Sequence, residues 1–288
     1  RLLICMNVPV KVIGIGDNVV DDYTNIRTMF PGGNALNFAV YATMLGCDSA
    51  YLGVFGNDAA AAHVQRTAVE LGVDTSHCRI ADGPNGRAEL THRDGERIFL
   101  GSNEGGISQT VSMSFIFDDI DYLEGFAIAH TSAYSYIDDH LARLQSLKLP
   151  VSYDFSDDFD EAHTLALCQH VDFGFFSCAE WTEDATKTLL GEAASRGCPL
   201  VVATRGSAGA ILFDGEAWFH QAPHPVTPTD TLGAGDAFIS GFLVSYIEAC
   251  RDRSVEPAAA LKTALDRGAA FAAEICQVQG AFGHGIRY

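Results

Sequence analysis

The sequence predicts an α/β fold, with a doubly wound and mostly parallel sheet flanked by helices. Short apolar runs alternate along the chain with helical stretches, at the spacing expected of βαβ units. A glycine follows each of the first two helical stretches, which is typical of a helix C-terminus. Hydrophobic residues make up 48% of the 288 positions and charged residues 19%, which supplies a sizeable core and excludes a disordered chain. We expect one domain over residues 1–288.

The individual elements follow from this alternation. Lys11–Gly16 (KVIGIG) reads as the first strand, and Gly33–Leu45 has helical spacing. Ala50–Phe55 is strand-like, and the alanine-rich segment Ala59–Leu71 is helical. Later apolar runs, which we interpret as strands, lie at 126–130, 150–155, 172–176 and 199–203. The helical stretches among them lie at 137–147, 161–168 and 182–194.

One segment departs from the parallel pattern. Gly86–Gly101 (GRAELTHRDGERIFLG) looks like two short β arms around an Asp94–Gly95 turn, which is a good hairpin signal. We predict that residues 76–104, together with 16–30, form a small β lid that is inserted in the domain and covers a site. An ordinary edge hairpin is the alternative interpretation.

Acidic residues dominate the charge of the chain. It carries 37 Asp and Glu against 18 Lys and Arg, a formal net charge of −19. Such a surface repels nucleic acid and anionic membranes, because the basic residues form no local patch. A run of 18 apolar residues that could span a membrane is also absent from the sequence. A polyanionic ligand would therefore be held by backbone dipoles, a metal ion and a few Arg or Lys side chains.

The eight cysteines form no CxxC pair, and none has a histidine at the spacing of a metal site. The apolar start of the sequence is not followed by a small-residue cleavage site. Both observations favour reduced, buried thiols in a cytoplasmic protein.

The strongest chemical signal is the string Asp230–Asp236 (DTLGAGD), which precedes an apolar helical segment. Gly233, Ala234 and Gly235 let a ligand approach the backbone closely, and their N–H groups open a helix. A helix N-terminus binds phosphate readily because it carries a partial positive charge. Asp236, in the first turn, is placed to remove a proton from a hydroxyl, so the string predicts phosphoryl transfer. The alternative is a glycine-rich turn in which Asp236 only complements the helix dipole.

A second signal, PGGNALN, opens the first helix. Its paired glycines and two asparagines suit hydrogen bonds to neutral hydroxyls. The residues concerned are Gly32, Gly33, Asn34 and Asn37. Asp17 and Asn18 follow the first strand, where open α/β sheets place their ligand contacts, and Asp21 and Asp22 add carboxylates that could accept from sugar hydroxyls. Alternatively, Asn34 is a helix N-cap and the aspartates are solvated loop charges.

Two other patterns carry less weight. Gly14 and Gly16 resemble the start of a dinucleotide fingerprint, but Val19 stands where its third glycine belongs, and the sequence contains no P-loop string. A nicotinamide oxidoreductase is therefore disfavoured. His220 and His224 lie in a proline-rich stretch, which argues against a helical metal pair.

Together these motifs resemble the PfkB-type, ribokinase-like family of carbohydrate kinases. The resemblance covers roughly residues 11–282 and rests on DTxGAGD, GGNxxN, the first strand and the hairpin. It implies a ribokinase-like sheet with a β lid and ATP-dependent phosphorylation of a primary sugar hydroxyl, with Mg²⁺ as cofactor and a monovalent cation left open. Within the family, GDNxVDxY, YDFSD and QAPxPVTPTDTLGAGD resemble kinases of fructosamines such as fructoselysine. The alternatives are a kinase for ribose, fructose, adenosine or 2-keto-3-deoxygluconate, and a non-catalytic sugar-binding member of the fold.

The resemblance also implies roles for individual residues. Asp236 would be the catalytic base, and the N–H groups of Gly233, Ala234 and Gly235 would form an anion hole. The implied sugar ligands are Asp17, Gly32, Gly33, Asn34 and Asn37. The implied nucleotide site comprises Thr204, Gly206, Ser207, Gly209 and Thr231. Glu180 keeps the acidic position of the family's N-x-x-E motif, in which Ser177 replaces Asn, and would hold Mg²⁺ through water. Lys187 is a candidate for a phosphate contact.

A fructosamine would also bring a secondary ammonium and an amino-acid end into the site. Asp22, Glu89 and Glu104 are candidates for the cation, and Arg87 is a candidate for the carboxylate. Members of the family often pair through the lid, and alternating residues of 86–100 would support such a homodimer.

Overall fold

The fold is described from a computed structural model that covers residues 9–93, 96–157 and 159–288. The strands are β1 (Lys11–Gly16), β2 (Val19–Tyr23), β3 (Thr28–Gly32), β4 (Asp48–Phe55), β5 (Arg79–Ile80), β6 (Gly86–Arg93), β7 (Glu96–Ser102), β8 (Ile128–Ser132), β9 (Val151–Asp154), β10 (Phe173–Ser177), β11 (Leu200–Thr204), β12 (Ala210–Phe213), β13 (Trp218–Gln221) and β14 (Ile286–Arg287). The helices are α1 (Asn34–Met44), α2 (Ala59–Glu70), α3 (Ile120–Leu123), α4 (Leu141–Gln145), α5 (Glu161–Leu167), α6 (Glu183–Ser195), α7 (Ala234–Arg251) and α8 (Pro257–Ile275). The predicted Asp94–Gly95 turn lies outside the described residues.

Nine strands form the main sheet, in the order β13-β12-β11-β10-β9-β8-β1-β4-β5. Neighbouring strands from β11 to β5 run parallel, whereas β12 pairs antiparallel with both β11 and β13. Strand β1 has β4 on one side and β8 on the other, so the winding reverses between β1 and β8. Open α/β sheets bind ligands outside the carboxyl ends of the strands at such a reversal. The sheet confirms the predicted fold class.

Most predicted elements agree with the structure to within a few residues. The helical stretch predicted at 137–147 is the main difference, because it consists of a 3-10 turn at Asp138–His140 followed by the short helix α4. Pro150 stands shortly after this helix, just before β9. A residue that precedes proline avoids the helical region, so no helix can continue through Leu149.

A second sheet has the strand order β14-β3-β2-β6-β7. Four of its strands come from the two segments predicted to form the lid. Arg79–Ile80 also falls in the predicted lid range, but it pairs with β4 in the main sheet instead. The fifth strand, β14, pairs with Thr28 and Met29 of β3. Its two residues are too few to produce an alternation in the sequence, so the pattern analysis did not detect it.

Strand β1 is buried on both faces, as its apolar sequence predicts. Ile13 packs into the core cluster on one face, and Val12 packs with Phe38 of α1 into the cluster on the other. A Cβ added to Gly14 would lie 2.0 Å from the carbonyl oxygen of Ala35. The missing side chain therefore lets α1 begin directly against β1, which brings the start of the helix to the reversal point of the sheet.

The second sheet is joined to the DTLGAGD loop by a small buried cluster. Tyr23, Phe30 and Leu90 of the sheet pack together, and Leu232 of the loop packs against them. The hydroxyl of Tyr23 donates a 2.5 Å hydrogen bond to Oδ2 of Asp230, at the beginning of the loop. The loop that leads into α7 is thus attached to the second sheet.

In the part of the chain that the structure describes, no helix is long and apolar enough to cross a membrane. The seven cysteines in that part are all free thiols, and five of them are buried.

We predict that Tyr23→Phe lowers the free energy of unfolding by roughly 1.5–3 kcal/mol, because it removes a hydrogen bond from a buried carboxylate. Tyr122→Phe is the matched control, since its hydroxyl also donates to an aspartate, Asp74, but that carboxylate is exposed. We expect the control to change stability by no more than about 0.5 kcal/mol. Urea unfolding monitored by circular dichroism measures both values. Equal losses would contradict the importance assigned to the Tyr23 contact.

Candidate active site

The carboxylate of Asp17 holds the start of α1. It follows β1 directly and accepts hydrogen bonds from the backbone N–H groups of Asn34 (2.7 Å) and Ala35 (3.1 Å). The hydroxyl of Ser135, from the loop after β8, donates to it at 3.1 Å. Burial raises the pKa of Asp17, while these hydrogen bonds oppose the rise. Asp17 lies at the predicted position after β1. From there its carboxylate caps the N-terminus of α1.

Gly33 makes this geometry possible. It precedes α1 with φ of 110°, and a Cβ there would lie 2.6 Å from the Cα of Asn18. The alternative in which Asn34 is the N-cap is wrong, because Gly33 occupies that position and the Asn34 side chain points elsewhere. The neighbouring Gly32 packs equally closely, since its Cβ would lie 2.3 Å from Oδ2 of Asp21.

The Asn18 side chain forms hydrogen bonds within the protein instead of facing a ligand. Its Nδ2 donates to the Tyr51 hydroxyl and to the Val54 carbonyl, both at 2.8 Å. Its Oδ1 accepts from Nδ2 of Asn85 at 2.9 Å. Because the amide is buried and bonded at both ends within the chain, the structure speaks against the predicted role of Asn18 as a sugar ligand.

The side chains of α1 and α7 meet at Asp236. Oδ1 of Asp236 accepts from Nδ2 of Asn34 at 2.8 Å, and Oδ2 accepts from Nδ2 of Asn37 at 2.6 Å. The same Nδ2 of Asn34 donates to Oδ2 of Asp154, at the end of β9, at 2.7 Å. Oδ1 of Asn37 is a buried acceptor that the described residues leave unpaired.

The electrostatics of this pocket raise the affinity of Asp236 for a proton. Burial raises its pKa well above the usual range, and the charge of Asp154 raises it further. Asp17 and Asp21 act in the same direction, whereas the amide of Asn37 opposes them. Burial also raises the pKa of Asp154, to about 6. A carboxylate whose pKa is raised toward neutrality is a stronger base than a solvated aspartate.

Three polar residues of the pocket were missed by the sequence analysis as site residues. They are His130 in β8, Ser152 in β9 and Asp154 at the end of β9. Nε2 of His130 lies 2.9 Å from Oδ1 of Asn34, and Nδ1 lies 2.9 Å from the hydroxyl of Ser152. The position of Asp154 at a carboxyl strand end was a usable signal. His130 and Ser152 lie within apolar strands, where the sequence offers no signal.

Helix α7 begins in the predicted glycine-rich string. Gly233 is its N-cap, in the left-handed conformation with φ of 75°, and a Cβ there would lie 2.4 Å from the Tyr41 hydroxyl. The N–H of Ala234 donates a long 3.3 Å bond to the Thr231 carbonyl. A Cβ on Gly235 would meet no atom within 4 Å, so the backbone at this residue faces open space. N–H groups in the first turn of a helix have no acceptor within that helix and can serve an anion.

The open space beside Gly235 is a cavity of about 510 Å³. That volume is typical of a site for a nucleotide-sized ligand. The residues predicted to bind the nucleotide all line it, namely Thr204, Gly206, Ser207, Gly209 and Thr231. Ala234 and Gly235 line the same cavity, and Asp236 is the next residue of α7. His224 also lines it and lies 2.8 Å from a carboxylate oxygen of Asp266.

The residues predicted to bind the amine end of a substrate are more widely spread than the residues around Asp236. Arg87 lies 3.4 Å from Oδ2 of Asp22, whose Oδ1 accepts from Tyr288 at 2.7 Å. Asp22 is thus already paired, which speaks against its predicted role as a cation site. Glu89 and Glu104 are both exposed.

The two residues predicted on the phosphate and metal side differ in their surroundings. Lys187 pairs with Glu183 of its own helix at 2.7 Å, so the predicted phosphate contact has no support. Glu180 is exposed after β10, and its neighbour Ala179 lies 3.7 Å from the position of a Cβ on Gly206, in the cavity wall.

Comparisons with known proteins agree with this geometry. The chain is 40% identical over 279 residues to fructosamine kinase FrlD of Bacillus subtilis strain 168, which covers 96% of this chain and 95% of that protein. It is 33% identical to fructoselysine 6-kinase of Escherichia coli K12, over 93% of this chain and 98% of that protein. The ribokinase of Arabidopsis thaliana, solved with ribose and ATP, superposes with a TM-score of 0.75 at 21% identity, over 96% and 95% of the two chains.

The family assignment covers almost the entire chain. Residues 11–283 match the family described as pfkB family carbohydrate kinase. The glycine-rich start of α7, with Asp236 in its first turn, lies within this match. The chain therefore belongs to the pfkB family of ATP-dependent carbohydrate kinases.

Proposed function

We propose that this kinase transfers the γ-phosphate of ATP to a primary hydroxyl of a fructosamine, such as fructoselysine. The position of Asp236 carries the proposal, because it stands between two different spaces. On one side lies the cavity lined by Ala234, Gly235 and the Thr204–Gly209 loop. On the other side lies the polar pocket of Asn34 and Asn37. A base at such a boundary can deprotonate an acceptor hydroxyl in line with a donor phosphate.

The proposed mechanism uses few groups. The free Oδ1 of Asn37 accepts a hydrogen bond from a sugar hydroxyl, which orients the sugar beside Asp236. Asp236 takes the proton of the attacking hydroxyl, and the N–H groups at the start of α7 stabilise the charge of the transferred phosphoryl group. The second sheet, attached to the DTLGAGD loop through Tyr23, would cover the sugar and exclude water as a competing acceptor.

One carboxylate beside the nucleotide cavity suits a hydrated Mg²⁺. Glu180 is exposed next to the cavity wall, and a hydrated Mg²⁺ prefers carboxylate oxygens and water. We propose that Glu180 holds the ion through water. When bound, the ion would neutralise the phosphate charge, because the basic residues of this chain are too thinly spread to do so.

The pocket charges favour a cationic acceptor. Asp17, Asp21 and Asp154 all act electrostatically on Asp236. A secondary ammonium gains from this potential, whereas the carboxylate of 2-keto-3-deoxygluconate is repelled by it. Glu104 of the predicted lid remains our candidate for the amine end of the substrate. Arg87 and Glu89 are in register with Val20 and Asp22, on the face of the second sheet that packs against α2. Alternation along the strands therefore points them away from the DTLGAGD loop, and we do not retain them.

Reduced cysteines support a location in the cytoplasm. The seven described cysteines are free, although disulfides form readily in secreted proteins. We propose a cytoplasmic enzyme that acts on small molecules and has no nucleic-acid or membrane partner, in keeping with the net charge of −19.

We predict a substrate order in a coupled ADP-release assay with fructoselysine, fructose, ribose, adenosine and 2-keto-3-deoxygluconate. Fructoselysine should give the highest kcat/KM, by about tenfold over fructose, since a charge-assisted hydrogen bond from its ammonium to a carboxylate is worth about that factor. Removal of divalent cations with EDTA should abolish turnover, and replacing K⁺ by tetramethylammonium reports any need for a monovalent cation. A preference for any of the other four substrates would overturn the fructosamine assignment and leave the family unaffected.

The same assay tests the base. Asp236→Asn should retain the fold and lower kcat by roughly 10²–10⁴-fold, the usual contribution of general base catalysis. Asp252→Asn is the matched control, because it makes the same change just beyond the opposite end of α7 and should leave kcat unchanged. Near-normal turnover of Asp236→Asn would show that another group removes the proton.

We predict that Gly235→Ala separates stability from activity. The added methyl group meets no protein atom, and alanine favours a helix by about 1 kcal/mol over glycine, so the protein should become more stable. The same methyl group would occupy the space proposed for the phosphate, and we expect kcat to fall by roughly 10²-fold. Gly191→Ala in α6, where a Cβ also meets no atom, should raise stability equally and leave kcat unchanged. Full activity of Gly235→Ala would place the phosphate elsewhere.

We also propose a homodimer formed through the second sheet. Strand β7 is the edge of that sheet, and it exposes 62% of Phe99 and 51% of Leu100. Exposed apolar side chains on an edge strand favour pairing with another strand. Sedimentation velocity should give a dimer for the natural chain and a monomer for Phe99→Glu. A monomeric natural chain at micromolar concentration would refute the proposal.

A further inference from the structure

A chain of buried hydrogen bonds runs from the interior of the sheet to Asp236. Its members are Ser152, His130, Asn34 and the two carboxylates Asp154 and Asp236. The successive separations are 2.9 Å from Ser152 to His130, 2.9 Å from His130 to Asn34, and 2.7 and 2.8 Å from Asn34 to the carboxylates. These hydrogen bonds connect β9, β8, α1 and α7.

Hydrogen-bonding chemistry sets the direction of this chain. Asn34 uses both hydrogens of Nδ2 on carboxylates, so its Oδ1 requires a donor. That donor is Nε2–H of His130, which leaves Nδ1 to accept from the Ser152 hydroxyl. Burial lowers the pKa of His130 to about 3, so the ring is neutral and carries a single N–H. The Nε2–H tautomer of His130 thus satisfies both Asn34 and Ser152.

The surroundings prevent water from taking over this role. His130 and Ser152 are fully buried, and the imidazole packs against Phe38 with 4.8 Å between ring centroids. An Asn34 amide turned by 180° would place Oδ1 against two carboxylates and leave Nδ2 facing the N–H of His130. The two carboxylates and the Nε2–H tautomer of His130 therefore favour the same amide orientation.

We propose that His130 is a positioning residue that keeps the Asn34 amide turned toward Asp154 and Asp236 and thereby keeps Asp236 ionised as the base. The effect is electrostatic. Asp154 from β9, Asp17 after β1 and Asp21 from β2 act on Asp236, and the negative charge of each raises its pKa. The amides of Asn34 and Asn37 and the start of α7 favour its ionised form.

Loss of the His130 donor should therefore raise the pKa of the carboxyl pair. We predict that His130→Leu moves the acidic limb of the pH profile of kcat/KM upward by about 0.5–1 pH unit, the effect expected for losing one hydrogen bond to a carboxylate. On the acidic side of the profile, kcat/KM would be roughly 3–10-fold below that of the natural enzyme. His130→Gln retains an N–H donor at the same place and should restore the natural profile.

The control is the neighbouring residue in the same strand. Thr131 is fully buried, and its hydroxyl has no hydrogen-bond partner in the part of the chain that the structure describes. Thr131→Val removes a buried polar atom without touching the chain of hydrogen bonds, so the acidic limb should stay in place. A shift in Thr131→Val equal to that in His130→Leu would reduce the role of His130 to packing and overturn the proposal.

A second readout separates this proposal from the proposed function on which it rests. Carbon-13 NMR titration of the aspartate carboxyl groups, without substrate, should show the resonances of Asp154 and Asp236 titrating at higher pH in His130→Leu than in the natural chain. If the natural chain phosphorylates no sugar, the proposed function fails while this titration still decides the role of His130. If His130→Leu does not fold, Ser152→Ala should give a smaller shift in the same direction. Unchanged carboxyl titrations in the folded variants would overturn the proposal.

Discussion

The contact on which the site depends is the one between Asp17 and the first N–H groups of α1. It joins the carboxyl end of β1 to the start of a helix at the point where the winding of the sheet reverses. Glycines at positions 14 and 33 allow this approach, because a side chain at either would collide with backbone atoms. Asn34 and Asn37 stand in the first turns of that helix, and their amides hold Asp236 of α7. One capped helix start thus determines where the base lies.

The same arrangement reduces the stability of the folded protein near neutral pH. Burial raises the folded-state pKa of Asp154 from 3.8 to about 6, and those of Asp17 and Asp236 are raised as well. A carboxyl group with a raised folded-state pKa binds more protons in the folded than in the unfolded chain. Its contribution to stability is therefore lost as the pH rises from the unfolded-state value through the folded-state value. Carboxylates retained at such a cost are typical of functional sites.

The sequence predicted the parts of this site that depend on local pattern. Alternating apolar runs identified the strands, and they therefore also located Asp17 at the carboxyl end of β1. The spacing of DTLGAGD placed Asp236 in the first turn of a helix. Residues whose role depends on contacts between distant segments were missed or misassigned. Asn18 is bonded to Tyr51 and Asn85, and Asp22 is paired with Arg87, 65 residues away. His130 lies inside an apolar strand, where only the register of β8 beside β1 and β9 reveals that its ring reaches Asn34.

The strongly acidic composition is compatible with phosphate chemistry because the nucleotide and the acceptor would contact different groups of the protein. Backbone N–H groups at the start of α7 attract an anion without any basic side chain, and they face the cavity lined by Gly235. The carboxylates gather on the other side of Asp236, around Asn34 and Asn37, where they would attract a cationic acceptor. Peptide dipoles have no net charge, so they orient a triphosphate but leave most of its charge to be neutralised by a metal ion. The net charge of −19 is therefore compatible with the metal dependence and the cationic acceptor that we propose.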